Sequence, residues 1–186
     1  VFAGSLPRGQ APDVYAGLIR ELRKLGVATM LDTEGEPLRL AVRAEPDLLS
    51  PNELEAEELV GHEFNDADDR CQAVVEMTRL GAGEAIMTVS DGCYAQVLED
   101  GVPTLYRVRT EEQEVRSTIG SGDAFLAGYV ASRYAGRSPT ECLRFGVACG
   151  AESTQHFGAG LIDPAKVERL LDEVEADRIQ IPAEIS

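Results

Sequence analysis

Val27-Ala28-Thr29-Met30-Leu31-Asp32-Thr33-Glu34-Gly35 and, further on, Asp47-Leu48-Leu49-Ser50-Pro51-Asn52 share one build: a short apolar run that stops at a polar residue and a turn. Runs of this kind, bounded by turn residues, read as buried strands. Between them Pro37 to Ala44 reads as a helix, and a second helix is expected from Glu53 to Val60. Short strands alternating with helices imply right-handed crossovers and a mainly parallel sheet covered on both faces. The expected class is therefore α/β, a three-layer αβα architecture.

The alternation extends in both directions. Val1-Phe2-Ala3 reads as the tail of a strand, explained either by processing or by a segment that precedes it. Between Pro12-Asp13 and Gly26, the residues Val14, Leu18, Leu22 and Leu25 recur at helical spacing. Asp66 to Leu80 is expected to be helical, with Ala73, Val74, Met77 and Leu80 inward and Gly81 closing it. Glu84 to Val89 reads as a strand. Tyr94 to Leu98 and Thr104 to Val108 read as an antiparallel hairpin around Glu99-Asp100-Gly101. Helices are expected from Asp123 to Tyr134, Pro139 to Gln155 and Pro164 to Val174, and Gln180 to Ser186 as a loose tail. No repeat or linker interrupts the 186 residues, which are expected to form a single domain, 1–186.

Composition narrows the function classes. Seventeen Lys and Arg against 33 Asp and Glu give a net charge of −16 and a pI near 4.4. So negative a surface disfavours nucleic acid and anionic membrane as partners. No apolar run reaches the roughly eighteen residues that a membrane helix needs. Val1-Phe2-Ala3-Gly4 does not read as a secretory leader. Cys71, Cys93, Cys142 and Cys149 are scattered, without C-x-x-C spacing, as in a reduced cytoplasmic interior. Cys142 and Cys149, seven apart on a helix, read as buried thiols. His62 and His156 are the only histidines, too few for a multi-histidine metal centre. His62 is expected at the surface, and Gly81-Ala82-Gly83 as a helix C-cap.

In a parallel α/β sheet, ligands bind beyond the carboxyl ends of the strands. That points to the loops at 4–9, 32–36, 50–55, 90–93 and 117–123. The most informative is Ser117-Thr118-Ile119-Gly120-Ser121-Gly122-Asp123-Ala124-Phe125. Its glycines let the backbone approach a ligand, and amides at a helix start attract an anion. Asp123 at that mouth is placed to take a proton from a substrate hydroxyl. The same residues also fit an ordinary turn with a helix-favouring Asp. No Gly-Lys-Ser/Thr of a Walker loop follows, and Phe125 stands where a dinucleotide fingerprint has its third glycine. A doubly wound oxidoreductase is therefore the weaker alternative. Asn52-x-x-Glu55 is equally a capping box.

Gly120-Ser121-Gly122-Asp123 resembles the Gly-Ala-Gly-Asp signature of the ribokinase-like (phosphofructokinase B) sugar kinases. Three further segments match in order. Gly4-Ser5-Leu6-Pro7-Arg8-Gly9, Asp32-Thr33-Glu34-Gly35-Glu36 and Ser50-Pro51-Asn52-Glu53-Leu54-Glu55 are similar to motifs of the 1-phosphofructokinase and tagatose-6-phosphate kinase branch. Phe145 to Ala151 and Gly158 are similar to the adenine-side helix and loop. The resemblance covers residues 1 to 175 and only the C-terminal, larger part of such a kinase, so the N-terminal part and its β lid are expected to be absent and the sheet incomplete at the N-terminus.

The resemblance implies an enzyme that uses ATP and Mg²⁺ to phosphorylate a phosphosugar, fructose 1-phosphate being the favoured acceptor. It makes Asp123 the general base and Gly120, Ser121 and Gly122, with the Asp123 amide, the anion hole. Asn52 and Glu55 would hold Mg²⁺, and Asn52, Ser90, Gly92 and Gly158 the nucleotide. Ser5 and Asp32 would face the substrate. Two departures stand out. Ser50 replaces a lysine of the branch, and Asp91 and Tyr94 occupy a loop where the family has two glycines, Asp91 bringing negative charge toward the phosphates. The alternative is a piece that binds nucleotide without catalysis, or an inactive remnant of the fold. A strand edge and a sheet face exposed by the missing part would favour self-association, a homodimer being one such form, or poor solubility.

Overall fold

The short apolar runs form a row of parallel strands. In a computed structural model, which describes residues 1–111 and 115–180, β1 (Phe2–Ala3) pairs with β2 (Met30–Asp32), β2 with β3 (Leu48–Leu49), and β3 with β4 (Glu84–Val89), all parallel. With β5 (Gly92–Glu99), β6 (Val102–Arg109) and β7 (Glu175–Ile179) they make one mixed seven-stranded sheet in the order β1 to β7. Seven helices accompany the strands among the described residues: α1 (Val14–Lys24), α2 (Gly35–Val42), α3 (Glu53–Val60), α4 (Ala67–Arg79), α5 (Ser121–Tyr134), α6 (Pro139–Ser153) and α7 (Pro164–Glu173). This is the α/β class expected from the sequence. No helix among the described residues is long and apolar enough to cross a membrane.

The chain's contacts fall into two compact units. One takes in Val1–Thr88 and Tyr94–Val97, the other Val89–Cys93 and Leu98–Ile179.

In the first unit Leu31, Leu48, Leu49, Ile86 and Met87 are buried on the strands, and Ile19, Leu38, Val74 and Met77 on the helices. Burying each such side chain contributes about 1.5–3 kcal/mol. Three details differ from the periodicity. α1 buries Ala16 and Ile19, whereas Leu25 is 75% exposed and Leu18 is also on the outside. The stripe through Leu18 and Leu25 is thus turned away from the face that packs. β2 begins only at Met30, because the Val27 amide closes the end of α1 on the Leu22 carbonyl (3.0 Å) and the Thr29 amide donates to the Asp47 carboxylate (2.6 Å). Leu80, the C-cap of α4, is exposed rather than inward.

In the second unit, Asp100 and Gly101 both take left-handed φ (51° and 79°), as a two-residue hairpin turn requires. α5 and α6 pack closely because their contact face carries glycines: a Cβ on Gly128 would stand 2.7 Å from Cys149 Sγ, and one on Gly146 3.1 Å from the Phe125 carbonyl oxygen. All four cysteines are buried. Burial pushes the Cys93 thiol up to about 12 and the Cys149 thiol up to about 11. β7 has no counterpart in the sequence expectations. It pairs antiparallel with β6, and Arg109 holds it through Glu175 and Asp177, each at 2.8 Å. Of the expected loose tail, residues 181–186 lie outside the described residues.

Candidate active site

In the first unit, the strand ends bring two of the expected loops together. The Gly4 amide donates to the Asp32 carbonyl (2.8 Å), and the Gly4 carbonyl accepts from Thr33 Oγ1 (2.9 Å) and Tyr15 Oη (3.1 Å). Gly4 takes φ +83°, which turns the chain out of β1 and leaves Ser5 exposed beyond it. Asp32 closes β2 in a half-buried position. Ser50 is buried, and its amide continues the ladder to the Leu31 carbonyl (2.9 Å).

Asn52 and Glu55 form a full capping box at the start of α3. Asn52 Oδ1 accepts from the Glu55 amide (3.0 Å), and Glu55 Oε2 from the Asn52 amide (2.9 Å). The box leaves Asn52 Nδ2 and Glu55 Oε1 unengaged among the described residues. Partial burial holds the Glu55 carboxyl above its usual range, with the Glu34 and Glu58 carboxylates adding to the effect against the hydrogen bonds from Asn52. Burial, the largest cause, disfavours the carboxylate, and a cation beside it would offset that cost together with the repulsion from Glu34 and Glu58. Asn52 and Glu55 therefore fit a water-bridged Mg²⁺. No cluster of three or more His, Cys, Asp or Glu among the described residues is arranged to hold a metal directly.

In the second unit, Gly120 caps α5 with φ +81°, so Ser121, Gly122 and Asp123 form the first turn. The Ser121 amide is already committed to the Thr118 carbonyl (3.2 Å), as is its hydroxyl (2.9 Å), and the Ala124 amide returns to Gly120 (2.9 Å). The amides of Gly122 and Asp123 have no partner within the helix by their position. The Asp123 side chain is exposed beside them. The loop after α6 closes on this turn. A Cβ at Gly120 would stand 2.7 Å from Ala159 Cβ, and the Arg116 and Ser117 amides both donate to the Thr154 carbonyl (2.8 and 3.1 Å). Gly158, with φ +103°, lies in the same loop.

Ser90 and Asp91 form the turn between β4 and β5, and Gly92 opens β5. Gly92 is a glycine for a reason internal to the protein: its φ is +142°, and a Cβ there would run into the Val108 carbonyl. The negative charge expected at Asp91 has a partner in the structure: Arg107 pairs with it at 2.5 Å. Tyr94, in the place of a second glycine, is buried.

An open cavity of about 590 Å³ lined by Arg20, Arg23, Arg43 and Glu45 contains none of the expected site residues. Two residues of consequence were not singled out from the sequence. Arg107 gave no local signal, because its partner lies sixteen positions away. Glu152 did give one: it is a lone acid on the helix face of Cys142 and Cys149, four residues before His156.

Residues 1–166 match the model of the pfkB family of carbohydrate kinases. The 1-phosphofructokinase of Haemophilus influenzae is 29% identical over 177 residues, covering 95% of this chain and 56% of that protein. The tagatose-6-phosphate kinase of Staphylococcus epidermidis is 26% identical over 179 residues, covering 94% and 56%. The structure of Escherichia coli phosphofructokinase-2 in complex with substrates and products superposes with a TM-score of 0.82 at 25% identity, over 92% of this chain and 58% of that one. The chain spans about half the length of the curated relatives it matches.

Proposed function

Because this chain belongs to the pfkB family of carbohydrate kinases, we propose that it is the nucleotide-binding and catalytic part of an ATP-dependent kinase acting on a phosphorylated ketose, with fructose 1-phosphate, converted to fructose 1,6-bisphosphate, as the first choice. The observation that carries the reading is the first turn of α5, where exposed Asp123 stands beside the amides of Gly122 and Asp123, which have no partner within the helix. The names of the similar 1-phosphofructokinase and tagatose-6-phosphate kinase support the substrate class.

In this reaction a sugar hydroxyl oxygen bonds to the γ-phosphorus of ATP while the bond from that phosphorus to the β–γ bridging oxygen breaks. ADP leaves, and the hydroxyl proton passes to the Asp123 carboxylate. The Gly122 and Asp123 amides, at the positive end of the α5 dipole, stabilise charge on the transferring group. Since Ser121 has spent its amide on Thr118, its part in the anion hole is to hold the turn. Ser5 and Asp32 face the sugar phosphate, and Ser90, Gly92 and Gly158 the nucleotide. Asn52 and Glu55 would hold Mg²⁺, and the ion would supply positive charge against the phosphates. The net charge of −16 makes such local devices necessary, since the surface as a whole repels an anionic substrate.

Titration calorimetry with Mg-ATP, followed by an assay of phosphate transfer to fructose 1-phosphate and tagatose 6-phosphate, tests the reading. Binding with transfer to a ketose phosphate is the expected result. Binding without transfer would leave a nucleotide-binding module, and no binding would contradict both.

A further inference from the structure

Glu152, near the C-terminus of α6, is 0% exposed. A carboxylate there is disfavoured twice, by burial and by the negative end of the helix dipole. An apolar side chain of the same size would escape both costs. The donors around Glu152 explain the choice. Its Oε1 lies 2.7 Å from His156 Nε2 and 3.9 Å from Lys166 Nζ, and its Oε2 accepts the Asp163 amide at 3.0 Å. Asp163 in turn caps α7, with Oδ1 accepting from the Ala165 amide at 3.0 Å. One buried side chain therefore grips both ends of the segment 156–163.

Between those grips the chain is exposed from Phe157 to Ile162 and twice takes left-handed φ, at Gly158 (103°) and Gly160 (74°). This stretch forms the wall against which the α5 turn is built, since Ala159 and Gly160 fill the space a side chain at Gly120 would need. Fixing the segment fixes the surroundings of Gly120.

We propose that Glu152 is a positioning residue for nucleotide binding: through His156, Lys166 and the Asp163 amide it holds the Gly158 loop in register with the first turn of α5. The proposal rests on the kinase reading for its ligand, but the clamp itself is a property of this chain.

Glu152→Gln keeps the volume and one acceptor while removing the charge. His156→Ala releases one grip from the exposed side and serves if the first variant fails to fold. Two measurements are made on each, amide hydrogen exchange and Mg-ATP binding with KM and kcat for ATP. The expected result is exchange accelerated on the order of tenfold in 156–163 with the α5 core unchanged, Mg-ATP affinity and KM weakened on the order of tenfold, and kcat within about twofold of the unaltered protein. Uniformly faster exchange with unchanged nucleotide affinity would reduce Glu152 to a general stability residue and overturn the proposal. Unchanged exchange in 156–163 would overturn it as well. If the unaltered protein binds no Mg-ATP, the kinase reading and the nucleotide role fall together, while the exchange data still report whether the clamp exists.

Discussion

Arg107 Nη2 lies 2.5 Å from Asp91 Oδ2, and the same guanidinium donates through Nη1 to the carbonyls of Val108 (2.6 Å) and Cys93 (3.2 Å). The β4–β5 turn is thereby tied to β6, and its acidic residue is balanced. Replacing Arg107 with Met leaves Asp91 unpaired beside Ser90 and Gly92. Because the Asp91 side chain is 51% exposed, water screens much of the effect. Mg-ATP affinity is expected to fall by about threefold, and Asp91→Asn added to that variant is expected to restore it. Unchanged affinity in Arg107→Met would separate this turn from the nucleotide.

Gly120 is constrained in two ways, by φ +81° and by Ala159 in the space a Cβ would occupy. Gly120→Ala is expected to cost about 1–3 kcal/mol of stability, from left-handed strain plus the displacement of the 158–160 loop. Urea denaturation measures this. A loss no larger than that of an exposed Gly136→Ala control, which takes φ +75° with open space around it, would mean that the loop yields freely.

Glu55 supplies a pH signature. Its carboxyl binds a proton more tightly in the native state, chiefly through partial burial, than at the ordinary value of 4.5. A raised native value means that this group favours folding below its unfolded value, and that the contribution is lost as pH rises through the native one. Relative to Glu55→Gln, the unaltered protein should therefore lose stability as pH climbs upward from about 4.5. Denaturation of the pair across that range checks the sign, and saturating Mg-ATP should shrink the difference. A difference of opposite slope would contradict the raised proton affinity of Glu55 in the native state.

Much of this architecture was legible because its signals are local. Glu53 to Val60 and Glu84 to Val89 have the expected bounds, since Asn52 and Gly61 punctuate the helix and a continuous apolar run makes the strand. The motif loops were visible because glycines and polar strand ends are written into contiguous residues. What escaped depends on partners distant in sequence. β7, Glu175-Ala176-Asp177-Arg178-Ile179, has too few apolar residues to announce a strand, and its place comes from pairing with β6 and from Arg109, sixty-six positions before Glu175. The face of α1 that packs carries Ala16 and Ile19, which the more numerous leucines at helical spacing do not mark. The partner of Asp91 is likewise remote, since Arg107 lies sixteen positions on.

Asp123 is the residue on which phosphoryl transfer depends most directly in this reading. In Asp123→Asn the first turn of α5 keeps its shape and its amides, so Mg-ATP binding is expected to stay within about threefold of the unaltered protein, while turnover with a ketose phosphate falls on the order of 10²–10⁴-fold for want of a base. Turnover left intact in that variant would contradict the account.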